Sequence, residues 1–257
     1  LKTQEEAQKA YDACQGNFVV SNIKSTTRKR EARPPFITST LQQEASTKLS
    51  FSAKRTMSIA QRLYEGVDVG NGQEGLITYM RTDSTRLSDV YVNGARELIQ
   101  NEYGKQYLGR YHVSNDANSQ DAHEAIRPTS LANTPEKLKA HLTSKQYKLY
   151  ALIYARALSS LMSAAKYDSL TLTLSQNGYD FTASGSTMKF DGYLKVYGEY
   201  ESGKDVVLPS FEEQEQIAAK ELKANQHFTE PLARYTEAKL IKALEEDGIG
   251  RPSTYAM

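Results

Sequence analysis

The sequence predicts an α+β multidomain fold, in which a β-rich hinge domain is interrupted by an inserted, mostly helical domain. Residues 17–30 (NFVVSNIKSTTRKR) have the composition of a strand, residues 38–162 carry apolar side chains at helical spacing, and residues 169–185 alternate around Asn177-Gly178. An Asn-Gly pair is a strong two-residue hairpin signal. Because strands precede and follow the helical block, the chain crosses between the two domains twice, which favours a hinge.

These patterns set the expected domain boundaries. We predict a β-rich hinge domain formed by residues 1–33 and 164–228, a helical domain over residues 34–163, and the start of a neighbouring helical domain at residues 229–257. The chain starts at Leu1 and ends at Met257 directly after GRPSTYA. We therefore expect it to be a piece of a longer protein.

The individual elements follow from caps and breakers. Thr40 with Gln43 is expected to form a capping box, and a second helix is expected to begin near Ser52 and to stop at Gly66. Residues 2–14 are expected to form the last part of a helix, and further helices are expected from Ser88 to about Tyr103, from Thr134, over 144–162 and over 236–246. The remaining predicted strands are a short buried strand in GLITYM (75–80), a strand through Leu194 and Val196, and a strand at 216–223.

Composition limits the class of protein. The 257 residues are 39% hydrophobic and 25% charged, and no apolar run is long enough to cross a bilayer. The single Cys14 excludes a disulfide framework and a multi-cysteine zinc site. A cytoplasmic location without a membrane partner is the expectation. With a net charge of +1, the chain as a whole has no excess of basic residues that would indicate binding to a nucleic acid.

The stretch GLITYMRTDST (75–85) carries the clearest candidate chemistry. A tyrosine hydroxyl is a poor nucleophile at neutral pH, so its target must be prepared by a nearby positive charge. Residues i and i+2 of a strand share a face, so Tyr79 and Arg81 could address one phosphate. Asp83 could help to hold the loop. By itself a tyrosine at a strand end is more often a packing residue.

Two further stretches contain candidate phosphate ligands. DAHEAIRPTS holds His123, Glu124 and Arg127, a spacing that suits phosphate contact or proton transfer but lacks the second histidine of a zinc helix. EEDGIGRPSTYA offers Arg251, Ser253 and Thr254 just after a predicted helix end. The tyrosines at 147, 150 and 154 share one helical stripe, which is more often core than a base-stacking platform.

Taken together and in order, the motifs resemble those of bacterial DNA topoisomerase I, a type IA topoisomerase. The resemblance covers nearly the whole chain and rests on PPFITSTLQQEA, GLITYMRTDST, AHEAIRPT, FDGYLKVY and YTEAKLIKALEEDGIGRPSTYA. It implies that Tyr79 attacks a DNA phosphodiester, that Arg81 binds the phosphate in the transition state, and that His123 is the third catalytic residue. It also implies DNA contacts at Arg81, Asp83, Arg127, Arg251, Ser253 and Thr254.

The resemblance also has gaps. The family's Toprim domain, with its acidic DxDxxG cluster, has no counterpart here, and neither has the SAGRVQ helix. The resemblance therefore implies that Mg²⁺ is bound by the absent Toprim domain of the full-length enzyme, with no cofactor expected in this chain. The expected partners are DNA, mainly single-stranded, and that Toprim domain, and the helical domain would move as a gate.

Two other classes of function stay open at this stage. Residues 38–63 contain two short helices joined by a tight turn, which also fits a helix-turn-helix module that binds duplex DNA without catalysis. A scaffold protein with no role on DNA is the third possibility. Salt-sensitive binding of single-stranded DNA would favour the topoisomerase, and base-specific duplex binding would favour the helix-turn-helix module.

Overall fold

The computed structural model describes residues 1–70, 72–111, 123–201, 203 and 205–255. It contains α-helices and β-strands in one chain, as the sequence predicts. The helices are α1 (Gln4–Ala13), α2 (Thr38–Leu49), α3 (Ala53–Glu65), α4 (Asp89–Glu102), α5 (Pro135–Leu138), α6 (Ser144–Ser159), α7 (Leu194–Tyr197) and α8 (Glu237–Glu246). The strands are β1 (Asn17–Arg30), β2 (Val67–Asp68), β3 (Gln73–Glu74), β4 (Ala165–Gln176), β5 (Tyr179–Phe190) and β6 (Gln216–Ala218).

The chain forms two compact units. The first comprises Leu1–Arg30, Ala165–Asp191 and Gly203–Ala233, and the second comprises Glu31–Ala164, Gly192–Ser202 and Arg234–Met257. The first unit interleaves with the second along the sequence. The arrangement of one domain inserted into another, and the domain boundaries given above, stay predictions.

The first unit is built around an antiparallel sheet with the strand order β5-β4-β1-β6. The predicted hairpin joins β4 to β5, and Asn177 and Gly178 both have positive φ (48° and 81°), as a tight hairpin turn requires. The core of this unit is small. The rings of Phe18 and Phe181 pack edge to face with centroids 5.2 Å apart, and Val20 is fully buried.

The second unit contains most of the buried apolar side chains and has α6 at its centre. On α6, Tyr150 and Tyr154 are buried, and their hydroxyls donate to the carbonyl oxygens of Asn133 and Leu131 at 2.6 and 2.9 Å. These two tyrosines of the predicted stripe are therefore core residues. A buried tyrosine needs such a partner for its hydroxyl, because an unpaired one is costly.

Three predictions about local structure are wrong. Thr40 does not cap α2: the N-cap is Ile37, and the Thr40 hydroxyl, one turn further on, accepts from the Ile37 amide at 3.0 Å. Residues 194–197 form the short helix α7 instead of a strand. GLITYM is not a strand; it makes an isolated bridge at Ile77 with Pro128 and otherwise follows an irregular path.

Other boundaries agree with the sequence. Ser52 caps α3 through its side chain and Gly66 ends it, Ser88 caps α4, and Pro135 occupies the first turn of α5 after the cap residue Thr134. Strand β6 ends at Ala218, earlier than the predicted 223. Within the described ranges, no helix is both long and apolar enough to span a membrane.

Candidate functional site

The candidate site is centred on residues 75–86, which we call the tyrosine loop. Exposure alternates along its middle: Met80, Thr82 and Ser84 are buried (0%, 2% and 4% exposed), whereas Arg81 and Asp83 are exposed and Tyr79 is partly exposed. Although this segment is not a strand of a sheet, it keeps the alternation of extended backbone. The three predicted site residues therefore lie on the accessible side of the loop.

The start of α2 holds one end of this loop. The Thr38 hydroxyl donates to the carbonyl oxygen of Met80 at 2.8 Å and accepts from the Thr82 amide at 2.9 Å. The Thr38 amide in turn donates to the Thr82 carbonyl oxygen at 2.9 Å. Because Thr38 is fully buried, these hydrogen bonds are shielded from water and are costly to break.

A crossing segment, residues 125–129, holds the other end. The Thr78 amide donates to the Arg127 carbonyl oxygen, and the Thr129 amide donates to the Leu76 carbonyl oxygen, both at 3.0 Å. The Thr78 hydroxyl donates to the Ala125 carbonyl oxygen at 2.7 Å and accepts from the Arg127 amide at 3.0 Å. The Thr78 hydroxyl thus accepts the hydrogen bond from the Arg127 amide that a backbone carbonyl would accept in a regular strand pair. Because the side chain takes this bond, GLITYM does not continue as a regular strand.

The ring of Tyr79 lies against two other rings. The centroid of Tyr64 is 5.4 Å away, with the rings at 66°, and the centroid of His123 is 5.2 Å away, with the rings at 54°. His123 itself is exposed. The structure therefore brings together Tyr79 and His123, two of the three residues predicted to be catalytic, from positions 44 apart in the sequence.

Arg81 and Asp83 are the most accessible of the predicted residues in the tyrosine loop. Both side chains are exposed, and no ion pair of Arg81 is found among the residues that the structure describes. An arginine with this freedom can offer its planar fork of donors to a phosphate. Arg81 thus has the accessibility that its predicted role requires.

Arg127 is placed differently. Its Nε donates to Glu124 at 2.7 Å, its Nη1 to the Pro128 carbonyl oxygen at 2.9 Å and its Nη2 to the Ser88 hydroxyl at 3.3 Å. Its guanidinium also lies over the ring of Tyr91, 4.8 Å from the centroid, and its side chain is only 12% exposed. These contacts tie the 123–129 segment to the start of α4. The predicted DNA contact at Arg127 stays a prediction.

Glu124 completes this network. Burial alone would raise the pKa of Glu124, but the hydrogen bond and charge of Arg127, the Ser88 amide and the charge of Arg86 outweigh it, so the pKa lies below its usual value. The ion pair is partly shielded, since the Glu124 side chain is 23% exposed. Its effect is to stabilise the turn that presents His123.

Residues 247–254 (DGIGRPST), which we call the GRPST loop, follow α8. Arg251, Ser253 and Thr254 are all exposed, and the Thr254 hydroxyl accepts from the Arg251 amide at 2.8 Å. Partial burial and the negative charges of Glu245 and Asp83 raise the pKa of Tyr255, while Arg251 opposes them. The charge of Asp83 in the tyrosine loop is thus one of the influences on Tyr255, directly after the GRPST loop.

Comparison with known proteins shows the family of this chain. A model of the DNA topoisomerase family matches residues 1–257. The solved structure of full-length topoisomerase I from Thermotoga maritima is similar, with a TM-score of 0.85 and 41% sequence identity over 99% of this chain. The chain belongs to the bacterial DNA topoisomerase I family. It spans 41% of the length of the Thermotoga chain, so it corresponds to part of a topoisomerase of that kind.

A bound metal ion needs several histidine, cysteine or acidic side chains close together. Among the described residues, no three histidine, cysteine, aspartate or glutamate side chains are grouped closely enough to hold one. The described residues therefore do not form a magnesium site of their own. The magnesium of the full-length enzyme stays a prediction.

A separate cavity of about 1140 Å³ lies in the second unit of this topoisomerase chain, between parts of α2, α4, α6 and α7. Tyrosines at positions 103, 147, 154 and 200 line it. None of the predicted site residues does, so this cavity is distinct from the tyrosine loop. The site of interest is an open surface.

The sequence pattern missed two residues that organise the candidate site. Thr38 holds the tyrosine loop, and Glu245 accepts a hydrogen bond from Ser39. The signal for Thr38 was present, since three hydroxyl residues in a row (Thr38-Ser39-Thr40) open α2 and only the third was assigned a role. No local pattern marks Glu245, because its partner is 206 residues away.

Proposed function

We propose that this chain is the portion of a type IA DNA topoisomerase that supplies the nucleophile, Tyr79. The observation that carries the proposal is the tyrosine loop: Tyr79, Arg81 and Asp83 lie on its accessible side, and buried hydrogen bonds to Thr38 fix its backbone. Family membership supports the same reading. The longer enzyme would relax negatively supercoiled DNA by passing one strand through a transient break in another.

The chemical step is an exchange of phosphoesters. The Tyr79 oxygen forms a bond to phosphorus, the bond from phosphorus to the 3′ oxygen breaks, the phenol gives up its proton, and the 3′ oxygen takes one to become a free hydroxyl. DNA stays attached through its 5′ phosphate. Because one phosphoester replaces another, the reverse reaction reseals the strand without ATP.

Arg81 and His123 have supporting roles in this proposal. The guanidinium of Arg81 would stabilise the negative charge that builds up on the phosphate oxygens in the transition state. The His123 ring, 5.2 Å from the ring of Tyr79, is close enough to act on the same phosphate or on the transferred proton. Asp83, Arg127, Arg251, Ser253 and Thr254 are the proposed DNA contacts.

Parts outside this chain would complete the enzyme. We propose that a Toprim domain supplies the surface facing Tyr79 and binds Mg²⁺, which would neutralise phosphate charge there. This chain alone would then bind single-stranded DNA weakly without cleaving it. The helical unit would move as a gate on the β-rich unit, and the enzyme would act in the cytoplasm at the nucleoid.

The test compares two tyrosines whose rings touch. In a full-length protein that carries this chain, Tyr79→Phe should abolish the covalent DNA adduct, detected as protein-linked 5′-phosphate DNA on denaturing gels, and should leave DNA binding intact. Tyr64→Phe is the matched control, because its ring is 5.4 Å from that of Tyr79, and it should retain the adduct. An adduct that persists in Tyr79→Phe would overturn the proposal.

A second candidate function is a DNA-binding module without catalysis. The helix pair α2 and α3, separated only by residues 50–52, is the observation that favours it. This candidate predicts base-specific duplex binding that is unaffected by Tyr79→Phe and lost when exposed residues of α3, such as Lys54 and Arg55, are replaced by alanine. A preference for single-stranded DNA would count against it.

A further inference from the structure

Near each end of helix α8, a glutamate carboxylate accepts hydrogen bonds from another helix. At its start, the Glu237 carboxylate accepts from the amide of Ala53, the first residue of α3, at 2.9 Å. At its end, the Glu245 carboxylate accepts from the Ser39 hydroxyl at 2.5 Å and from the Gln43 side-chain amide at 3.3 Å. The two glutamates are eight positions apart, which is a rise of about 12 Å along the helix axis. Glu245, which makes the second set of hydrogen bonds, lies just before the GRPST loop.

The start of α2 therefore holds two different segments through adjacent residues. Thr38 is hydrogen-bonded to the tyrosine loop, and Ser39, the next residue, is hydrogen-bonded to Glu245. Both Thr38 and Ser39 are buried. The spacing between the tyrosine loop and the GRPST loop is thus set by a single turn of one helix.

Two further observations agree that this contact is specific. A negative charge near the first turn of a helix is favourable, and α2 has no acidic residue of its own in that turn, so Glu245 provides the charge. Partial burial and the charges of Glu245 and Asp83 raise the pKa of Tyr255, so Glu245 and a residue of the tyrosine loop both act on the residue that follows the GRPST loop. The contact therefore lies between the predicted nucleophile and the predicted DNA contacts.

We propose that Glu245 is a positioning residue, which fixes the GRPST loop relative to Tyr79 so that DNA held by Arg251 and Thr254 presents its scissile phosphate to the phenol. The proposal rests on the proposed function. Its effect is on geometry: a misplacement of about 1 Å can slow a chemical step by about 10²-fold even when the substrate remains bound. Removing Glu245 should therefore impair the chemical step more than DNA binding.

The experiment uses a full-length protein that carries this chain, with single-turnover cleavage of a radiolabelled single-stranded oligonucleotide. Glu245→Ala is expected to lower the rate of adduct formation at saturating DNA by about 10- to 100-fold, and to change the oligonucleotide Kd by less than about threefold. Glu245→Gln, whose side-chain oxygen can still accept from Ser39, should recover most of the rate.

Two matched controls lie on the same helix. Glu237→Ala removes the hydrogen bond at the other end of α8, and Glu246→Ala removes an exposed neighbour whose carboxylate pairs with Lys242 at 3.6 Å. Both should keep the adduct rate within about threefold of the unmodified protein. A loss in Glu237→Ala as large as that in Glu245→Ala would show that general stability of α8 is responsible, and would overturn the proposal.

A double-mutant cycle tests the specific pair. Ser39→Ala, Glu245→Ala and the double variant should show strong non-additivity, with the double variant no slower than the worse single variant. Effects that multiply would contradict the proposal, because Ser39 and Glu245 would then act independently.

Hydrogen exchange keeps this test separate from the proposed function. Glu245→Ala should speed amide exchange in residues 248–254 at least about tenfold, while Glu237→Ala should leave those amides unchanged. If the unmodified protein forms no adduct, the proposed function fails, but the exchange experiment still decides whether Glu245 positions the loop. Unchanged exchange in Glu245→Ala would overturn the positioning role.

Discussion

The tyrosine loop and the GRPST loop both carry predicted DNA contacts, yet they are held in different ways. The tyrosine loop is fixed from both sides by buried hydrogen bonds from Thr38 and by the crossing segment at Thr78. The GRPST loop is exposed, with Gly248 and Gly250 at positive φ (67° and 87°) and with local hydrogen bonds between Arg251 and Thr254. Its position depends on α8 and on the contact at Glu245.

This difference suggests a division of labour. A nucleophile must be placed within a fraction of an ångström, which accords with the way the loop of the proposed nucleophile is built into the core. A loop that grips DNA backbone can tolerate adjustment, because phosphate contacts depend less on precise geometry than bond making does. The following predictions test that contrast, from the largest expected effect to the smallest.

Replacing the exposed arginine of each loop should affect a different measured quantity, the rate for Arg81 and the binding for Arg251. Arg81→Ala is expected to lower the single-turnover rate of adduct formation by about 10²–10³-fold, because a transition-state charge loses its partner. Arg251→Ala should instead weaken oligonucleotide binding and reduce its salt dependence, with a nearly normal rate at saturating DNA. Rate and Kd measured for both variants check this, and identical profiles would remove the proposed contrast between the loops.

Thr38 should be more important for stability than the matching threonine of the GRPST loop. Thr38→Val leaves the buried Thr82 amide without its acceptor, so the free energy of unfolding should fall by about 1–3 kcal/mol. Thr38→Ser keeps the hydroxyl and should cost less. Thr254→Val, at an exposed position, should change stability by less than about 0.5 kcal/mol. Denaturant unfolding checks the order, and equal losses for Thr38→Val and Thr254→Val would contradict it.

Backbone strain should be visible at Gly250. Its φ is +87°, and a Cβ there would lie 3.0 Å from the Tyr255 ring and 3.2 Å from the Thr254 hydroxyl. Gly250→Ala should therefore lower the free energy of unfolding by about 1 kcal/mol. Gly198→Ala is the control, since among the described residues its Cβ would come within 4 Å of the Leu194 Cβ alone, at 3.9 Å. Thermal unfolding of the two variants should separate them, and equal melting temperatures would argue against strain.

The smallest expected effect concerns the segment that presents His123. The folded-state pKa of Glu124 is depressed, so its contribution to stability is present above the unfolded glutamate pKa, about 4.3, and is lost as the pH falls through the lower folded value. The unmodified chain should therefore be more stable than Glu124→Gln at pH 7, and the difference should shrink below pH 4. Unfolding measured between pH 7 and pH 3 checks the sign, and a difference that grows towards low pH would refute it.

Local signals predicted many elements of the fold. The bounds of β1, the caps of α3 and the Asn177-Gly178 turn depend on residues within a few positions, and all agree with the structure. The path of residues 75–80 could not be predicted in this way. The Thr78 hydroxyl takes a bond that the backbone of a strand would make, and its partner segment begins 47 residues later.

The candidate site also contains residues that local sequence patterns predict and residues that they do not. The motif around Tyr79 indicated the residues on the accessible side of the loop. Thr38, which holds the tyrosine loop, acts over 42 positions and is marked only by the run of three hydroxyl residues at the start of α2. Glu245, which precedes the GRPST loop, acts over 206 positions and has no local signature. Arg127 shows the converse case, because a basic residue beside a motif attracts a DNA assignment, whereas its three hydrogen bonds are to the protein itself.

The pairing of β1 with β4 has a consequence for synthesis. Thr27 meets Asp168 across 141 residues, so during translation β1 leaves the ribosome long before its neighbour exists. At 5–20 residues per second, the wait is on the order of 7–30 s. An unpaired strand is prone to aggregate, and charged side chains oppose this. The exposed Lys24, Arg28 and Lys29 of β1 are placed to keep the nascent strand apart from other chains until the hairpin emerges.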